Sequence, residues 1–250
     1  MSHGDQFGAG ETAFVIGASR GLGRAIGDGL ARQGVRVVGT SRNTVEADSI
    51  ANRYGTFPVV LDLEDVASIP LVVDEVQRLT GGFSLLVNNA GVNIPEPAVD
   101  VSQQHWQTIF NTNVQGPFFV AQETAKHWIR SGTKGSMVFV SSQAGTVAIE
   151  NRVAYGSSKA AVSHMTRQLA FEWARHGIRV NAVAPTFVET ELTATTLNDP
   201  VVAGKLLERI PLGRFGVPDD VATSVTFLLS KDASLITGHI LAIDGGYTIH

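Results

Sequence analysis

The sequence predicts an α/β protein: an open, doubly wound sheet of about seven parallel strands flanked by helices, in a single domain over 1–250. Three observations predict it. Short β-branched runs alternate with longer segments of helical period. The runs are continuously apolar rather than alternating, as strands covered on both faces are. A glycine-rich turn then joins the first run to the first helical segment.

In chain order the strands read TAFVIG (12–17), VRVVGT (35–40), FPVVLD (57–62), FSLLVN (83–88), GSMVFVS (135–141), IRVNAVA (178–184) and HILAID (239–244). Helical patterns lie between them at roughly 22–33, 43–54, 65–79, 102–131, 152–175 and 218–230. Strands joined through helices pair in parallel by right-handed crossovers. That alternation also fits a closed (β/α)₈ barrel. No repeat, low-complexity tract or Pro/Ser-rich linker divides the chain, which argues for one domain. One stretch breaks the alternation: TELTATTLNDPVVAGKLLERIPLGRFG, 190–216, has a helical middle between Pro200 and Pro211. An insertion of this length in a compact domain is expected to be a lid over the substrate.

Composition narrows the function classes. Of 250 residues 44% are apolar and 17% charged, which suits a chain with a sizeable buried core. A net charge of −4 offers no cationic field for nucleic acid or an anionic membrane, so neither is an expected partner. There is no cysteine, which removes disulfides, thiolate catalysis and cysteine-ligated metals. The seven histidines are scattered without an H-x-x-x-H pair, so no metal site is expected. The N-terminus has no basic stretch followed by an apolar run, and no segment approaches 18 uninterrupted apolar residues; a cytoplasmic protein is expected.

The turn after the first strand is GASRGLG, 17–23. Gly17, Gly21 and Gly23 permit a tight turn and close backbone approach, and the following helix start offers free N–H groups to a phosphate. With Ser19, Arg20 and Leu22 between the glycines, this is a candidate dinucleotide cradle. Its place in the first βα unit favours a Rossmann-type sheet over the barrel. The second strand should end beside the adenosine ribose, where a carboxylate usually selects NAD. It ends instead in Ser41 and Arg42. Arg42 and Arg20 are placed to face a 2′-phosphate, and one charge pair at about 4 Å is worth roughly 4 kcal/mol gross at an effective dielectric of about 20. A quarter of that from each arginine, about 2 kcal/mol together, favours NADP(H) by tenfold or more. NADP(H) is therefore the preferred cofactor, with NAD(H) possible.

In AYGSSKAAV, 154–162, Tyr155 and Lys159 share a helix face at i and i+4. A free phenol has a pKa near 10, and lowering it to about 7 takes some 4 kcal/mol. A neighbouring ammonium and a nicotinamide cation in a dry cleft supply that together, making Tyr155 an acid/base for a carbonyl/alcohol couple. Ser142 closes the fifth strand 13 residues earlier, placed to hydrogen-bond the same oxygen. NNAG (88–91) follows the fourth strand, and Asn113 sits in NTNVQG.

Together these motifs resemble the short-chain dehydrogenase/reductase family in its compact form, along nearly the whole chain: GASRGLG, Asp62, NNAG, Asn113, Ser142, YGSSK, APTFVET (184–190), PLGRFGVPDDVA (211–222) and TGHILAIDGGY (237–247). The resemblance implies roles. Tyr155 is the general acid in reduction, Lys159 holds the nicotinamide ribose and lowers the phenol pKa, Ser142 orients the carbonyl, and Asn113 fixes a water that links Lys159 to solvent. Asp62 and Leu63 contact adenine, while Asn89, Ala90 and Gly91 contact the adjacent ribose. Pro185 shapes the nicotinamide pocket; Val188 and Thr190 serve the carboxamide and phosphate region. Two residues depart from the pattern. Ile16 replaces the threonine common before the first glycine, removing a structural hydrogen bond, and Thr186 replaces the glycine common after Pro185.

The expected function is NADP(H)-dependent interconversion of a ketone or aldehyde with an alcohol. Val92, Gln143, Val147, Ile149, Phe187 and Leu192 are expected around the substrate and favour a ketone with hydrophobic flanks. A 3-oxoacyl thioester and a sugar or polyol stay open as alternatives, as does a non-catalytic NADP-sensing protein, although that would be expected to lose Tyr155 or Lys159. Helix 152–175 is apolar on more than one side; the resemblance implies that it pairs with its copy in a homotetramer.

Overall fold

The computed structural model describes residues 6–191 and 193–249. Seven parallel strands form its sheet: β1 (Thr12–Ile16), β2 (Arg36–Ser41), β3 (Val59–Val60), β4 (Leu85–Asn88), β5 (Ser136–Val140), β6 (Arg179–Pro185) and β7 (Ile240–Ile243). Their order is β3-β2-β1-β4-β5-β6-β7. The expected doubly wound Rossmann-type sheet is therefore present. The order reverses between β1 and β4, and a crevice opens there beyond the strands' C-terminal ends.

Period-2 alternation sends each strand's residues to two cores. Phe14, Ile16, Val38, Leu86, Met137 and Phe139 face the side covered by α3 (Ile69–Thr80), α5 (Gly116–Ser131) and α6 (Val153–Trp173), where they meet Val73, Trp128 and Val162. Ala13, Val15, Val37, Val87, Val138 and Val183 face the other side and meet Ile26 and Leu30 of α1 (Gly21–Arg32), Ile50 of α2 (Thr44–Tyr54), and Val221 and Leu228 of α9 (Pro218–Leu229). Both faces are covered, which explains the continuous apolar runs. Each fully buried Val, Leu or Ile contributes about 1.5–3 kcal/mol.

Two elements differ from expectation. The edge strand β3 is two residues long, paired to Thr40 and Ser41, rather than running over 57–62. Pro58 has no N–H for the ladder and shortens it. The helix expected over 102–131 is α4 (Gln103–Phe110) and α5 joined by a π turn, Asn111–Gln115. Pro117 explains the wider turn. It cannot donate to the carbonyl of Asn113, and Gly116 N–H reaches back five residues to the carbonyl of Asn111.

The stretch 190–216 leaves the sheet after β6 and carries α7 (Ala194–Leu197) and α8 (Pro200–Leu207). Asp199 caps α8, accepting from the N–H groups of Val201 and Val202, and Pro200 opens it. Its two ends are tied together: Glu189 N–H donates to Gly216 O at 2.9 Å and Gly216 N–H to Phe187 O at 3.0 Å.

Candidate active site

The crevice at the C-terminal edge of the sheet is a cleft of about 540 Å³, walled by the first turn and the ends of β2, β4, β5 and β6. At its floor Gly17 has φ +78°, and a Cβ there would sit 2.8 Å from Cβ of Ala90. Gly23 lies behind the turn, where a Cβ would overlap the carbonyl oxygen of Gly17. That oxygen already accepts from Asn89 Nδ2 at 2.8 Å, while Gly17 N–H donates to Thr40 Oγ1 at 3.1 Å. Thr40 thus ties the turn where Ile16 has no hydroxyl to offer. A turn open toward the cleft, at the N-terminus of α1, with no side chain filling it, fits a nicotinamide dinucleotide.

The residues expected to touch that cofactor line the cleft: Gly17, Ser19, Arg20, Gly21, Leu22, Ser41, Arg42, Asp62, Leu63, Asn89, Ala90, Gly91, Tyr155, Lys159, Pro185, Val188 and Thr190. Gly23 supports the turn from behind and is not part of the wall. The end of β2 differs from expectation in one respect. No carboxylate belongs to the strand, but Glu46 in the first turn of α2 folds back into the cleft and accepts a hydrogen bond from Ser41 Oγ.

Ser142, Tyr155 and Lys159 open onto the same cleft. Lys159 is buried, its ammonium donating to the carbonyl of Val140 at 2.8 Å and standing 5.6 Å from the centre of the Tyr155 ring. Burial pushes the ammonium down to about 8. Burial also pushes the Tyr155 phenol above its ordinary value, with the Ser142 hydroxyl and then the Arg152 guanidinium pulling back. The expected lowering by Lys159 acts together with a nicotinamide cation, which belongs to the cofactor-bound state.

The lysine leaves a mark on stability. A folded pKa below the ordinary 10.5 means the unfolded chain binds the proton more tightly. Lys159 therefore contributes stability in full only above the unfolded pKa, and that contribution is lost as pH falls through about 8. Between those limits wild type is expected to gain on the order of 3 kcal/mol relative to Lys159→Met. Parallel unfolding free energies of the two proteins across that window would contradict the burial of a charge here.

Asn113 sits in the π turn: Nδ2 donates to Val92 O at 2.9 Å and Ser158 Oγ at 3.0 Å, and Oδ1 accepts from Val92 N–H at 2.8 Å. It staples the loop after β4 to α6.

Val92 lines the cleft, but Val147, Ile149 and Phe187 do not; Phe187 packs toward Tyr247, ring centres 6.3 Å apart. Gln143 is buried beside the cleft without forming its wall, and Leu192 lies outside the described residues. The wall carries Asn93 and Thr186 instead. Asn93 Oδ1 and Thr186 Oγ1 are buried with no hydrogen-bond partner among the described residues, as is Gln143 Oε1. Thr186 was visible in the sequence as a departure; nothing there singled out Asn93 or Glu46. Among the described residues, no group of three His, Asp or Glu is placed to hold a metal, and no helix is long and apolar enough to cross a membrane.

A family profile described as enoyl-(acyl carrier protein) reductase matches residues 17–248. The chain belongs to the short-chain dehydrogenase/reductase family. Its relatives include a tropinone reductase homologue of Arabidopsis thaliana, 36% identical over 97% of this chain and 94% of that protein. L-xylulose reductase of Mus musculus is 38% identical over 96% of this chain and 97% of that one. Among solved structures, a gluconate 5-dehydrogenase of Burkholderia cenocepacia in complex with NADP and tartrate superposes with a TM-score of 0.94, at 31% identity over 98% of each chain. This short-chain dehydrogenase/reductase is an NAD(P)-dependent oxidoreductase of alcohols and ketones.

Proposed function

We propose that the chain reduces polyhydroxylated ketones with NADPH, and oxidises the matching polyols, with Tyr155 as the general acid/base. The observation that carries this is the meeting of Ser142, Tyr155 and Lys159 in the cleft that also holds the glycine cradle. When bound, the reduced nicotinamide supplies hydride to the carbonyl carbon. Ser142 and Tyr155 hydroxyls both donate to the carbonyl oxygen, and the phenol transfers its proton as the alkoxide develops. Desolvation keeps the phenol protonated at neutral pH, the form reduction needs. Lys159 then faces a phenolate, and its ammonium, one turn away, stabilises that charge until a proton returns from solvent.

Asn93 Oδ1 and Thr186 Oγ1 support a hydroxyl-rich substrate, because a buried acceptor left unpaired costs about 1–3 kcal/mol that a substrate hydroxyl recovers. The gluconate and xylulose activities of the relatives agree with that reading. NADPH consumption with ketoses, hydrophobic ketones and 3-oxoacyl thioesters tests it. Ketoses are expected to lead in kcat/KM by at least about a hundredfold, since a site built to bond hydroxyls rejects analogues that lack them. A hydrophobic ketone in first place would overturn the substrate class.

NADPH over NADH rests on Arg20 and Arg42, exposed at the adenosine end and in no ion pair among the described residues. Residues 1–250 act as one catalytic domain in this reading, in the cytoplasm, with 190–216 as the lid over the substrate. A homotetramer completes it: Val153 and Phe171 of α6 are 43% and 84% exposed and Trp106 of α4 is 41% exposed, apolar surface that a neighbouring copy covers.

A further inference from the structure

We propose that Glu46 is a selectivity residue of the cofactor site, an internal anion that admits the 2′-hydroxyl of NAD(H) and opposes the 2′-phosphate of NADP(H), narrowing a preference set by Arg20 and Arg42. It rests on reading the end of β2 as the adenosine-ribose end of the cleft. Asn43 caps α2 by accepting the N–H of Glu46 at 2.9 Å, which fixes Glu46 in the first helical turn with its side chain toward the cleft. There the carboxylate accepts from Ser41 Oγ, and Ser41 is itself buried. Ser19, Arg20, Ser41, Arg42, Asn43 and Glu46 together line this end. The Ser41 hydroxyl foremost, with Ser19, Asn43 and the Arg20 guanidinium, holds the Glu46 carboxyl below its ordinary value, so it is an anion at neutral pH.

The two cofactors differ at one group, and the differing chemistry meets this carboxylate in opposite ways. A 2′-hydroxyl is a donor, and Glu46 has a second oxygen to accept from it. A 2′-phosphate is an anion that needs donors. Glu46 occupies the Ser41 hydroxyl, the buried donor at this end, and adds repulsion of its own. No ion pair joins Glu46 to either arginine among the described residues, although the Arg20 guanidinium is near enough to favour the carboxylate. The site thus holds two cations and one anion within the same few residues, and its selectivity is the balance between them.

Calorimetric titration of NADP⁺ and NAD⁺ into wild type and Glu46→Gln measures that balance without turnover. The glutamine keeps the volume and an acceptor for Ser41, and equal melting temperatures establish that the fold is kept; Glu46→Asp, which retains the charge, provides the second arm. Glu46→Gln is expected to raise the ratio Kd(NAD⁺)/Kd(NADP⁺) about tenfold, mainly through tighter NADP⁺, while Glu46→Asp stays within about threefold of wild type. A ratio unchanged in Glu46→Gln, or both constants moving by the same factor, overturns the role. The wild-type ratio alone decides which cofactor is preferred, so a protein that favours NAD⁺ would refute the NADPH reading and leave the Glu46 comparison to be read separately.

Discussion

Tyr155→Phe is expected to lower turnover by about 10³-fold, within the 10²–10⁴ that a positioned general acid contributes, while leaving the NADPH dissociation constant within about threefold of wild type. The substitution removes one hydroxyl and keeps the ring that packs at the cleft. No other group takes its place: Ser142 is a neutral alcohol whose oxygen also accepts from Ala144 N–H at 3.2 Å, and Lys159 is turned to the carbonyl of Val140. Direction matters as well. A phenol held above its ordinary value by burial stays protonated through neutral pH, the form reduction needs, whereas oxidation needs the phenolate; reduction should hold its rate through neutral pH while alcohol oxidation climbs as pH rises. Steady-state rates paired with fluorescence titration of NADPH check both halves, and turnover within tenfold of wild type would contradict the role.

Gly23→Ala should cost the protein its cofactor. The new methyl overlaps the carbonyl oxygen of Gly17 and crowds Asn89 Nδ2. Neither can step aside cheaply, because Gly17 is held by Thr40 at its N–H and by Asn89 at its oxygen. Overpacking of this kind costs about 1–3 kcal/mol of stability, and any relief distorts the turn that faces the pyrophosphate. NADPH affinity is expected to fall more than about a hundredfold, since roughly 2.7 kcal/mol of lost contact suffices. Gly204→Ala in α8, where a Cβ meets nothing within 4 Å, serves as the contrast, with affinity unchanged and stability the same or slightly higher. A Gly23→Ala protein that binds NADPH like wild type would remove the turn from the cofactor site.

The sheet was legible because its determinants are local and repeated. Runs such as AFVI and MVFV are apolar at every position only when helices cover both faces, and GASRGLG marks the crevice by its place after β1. What escaped depends on backbone bookkeeping or on side chains that turn back. Pro58 cuts β3 short and Pro117 opens the π turn at Asn113, two consequences of a missing N–H that apolar periodicity does not register. Glu46 reads from sequence as an ordinary first-turn helix acid; only the close approach of Ser41 shows that it faces the cleft. Val147, Ile149 and Phe187 lie near Tyr155 or Pro185 in sequence but are not among the walls of the cleft, whereas Asn93 reaches it through the loop stapled by Asn113. Tyr155, Lys159 and Ser142 were readable because one helix turn and one strand end suffice to bring them together.

The most direct measurement is a crystal structure with NADP⁺ and a polyol bound together. Tyr155 Oη and Ser142 Oγ are both expected within about 2.6–3.2 Å of the same substrate oxygen, with the carbon bearing it against the nicotinamide. A reacting oxygen held by a different titratable group, with Tyr155 beyond hydrogen-bond reach, would contradict the proton transfer on which the proposed chemistry depends.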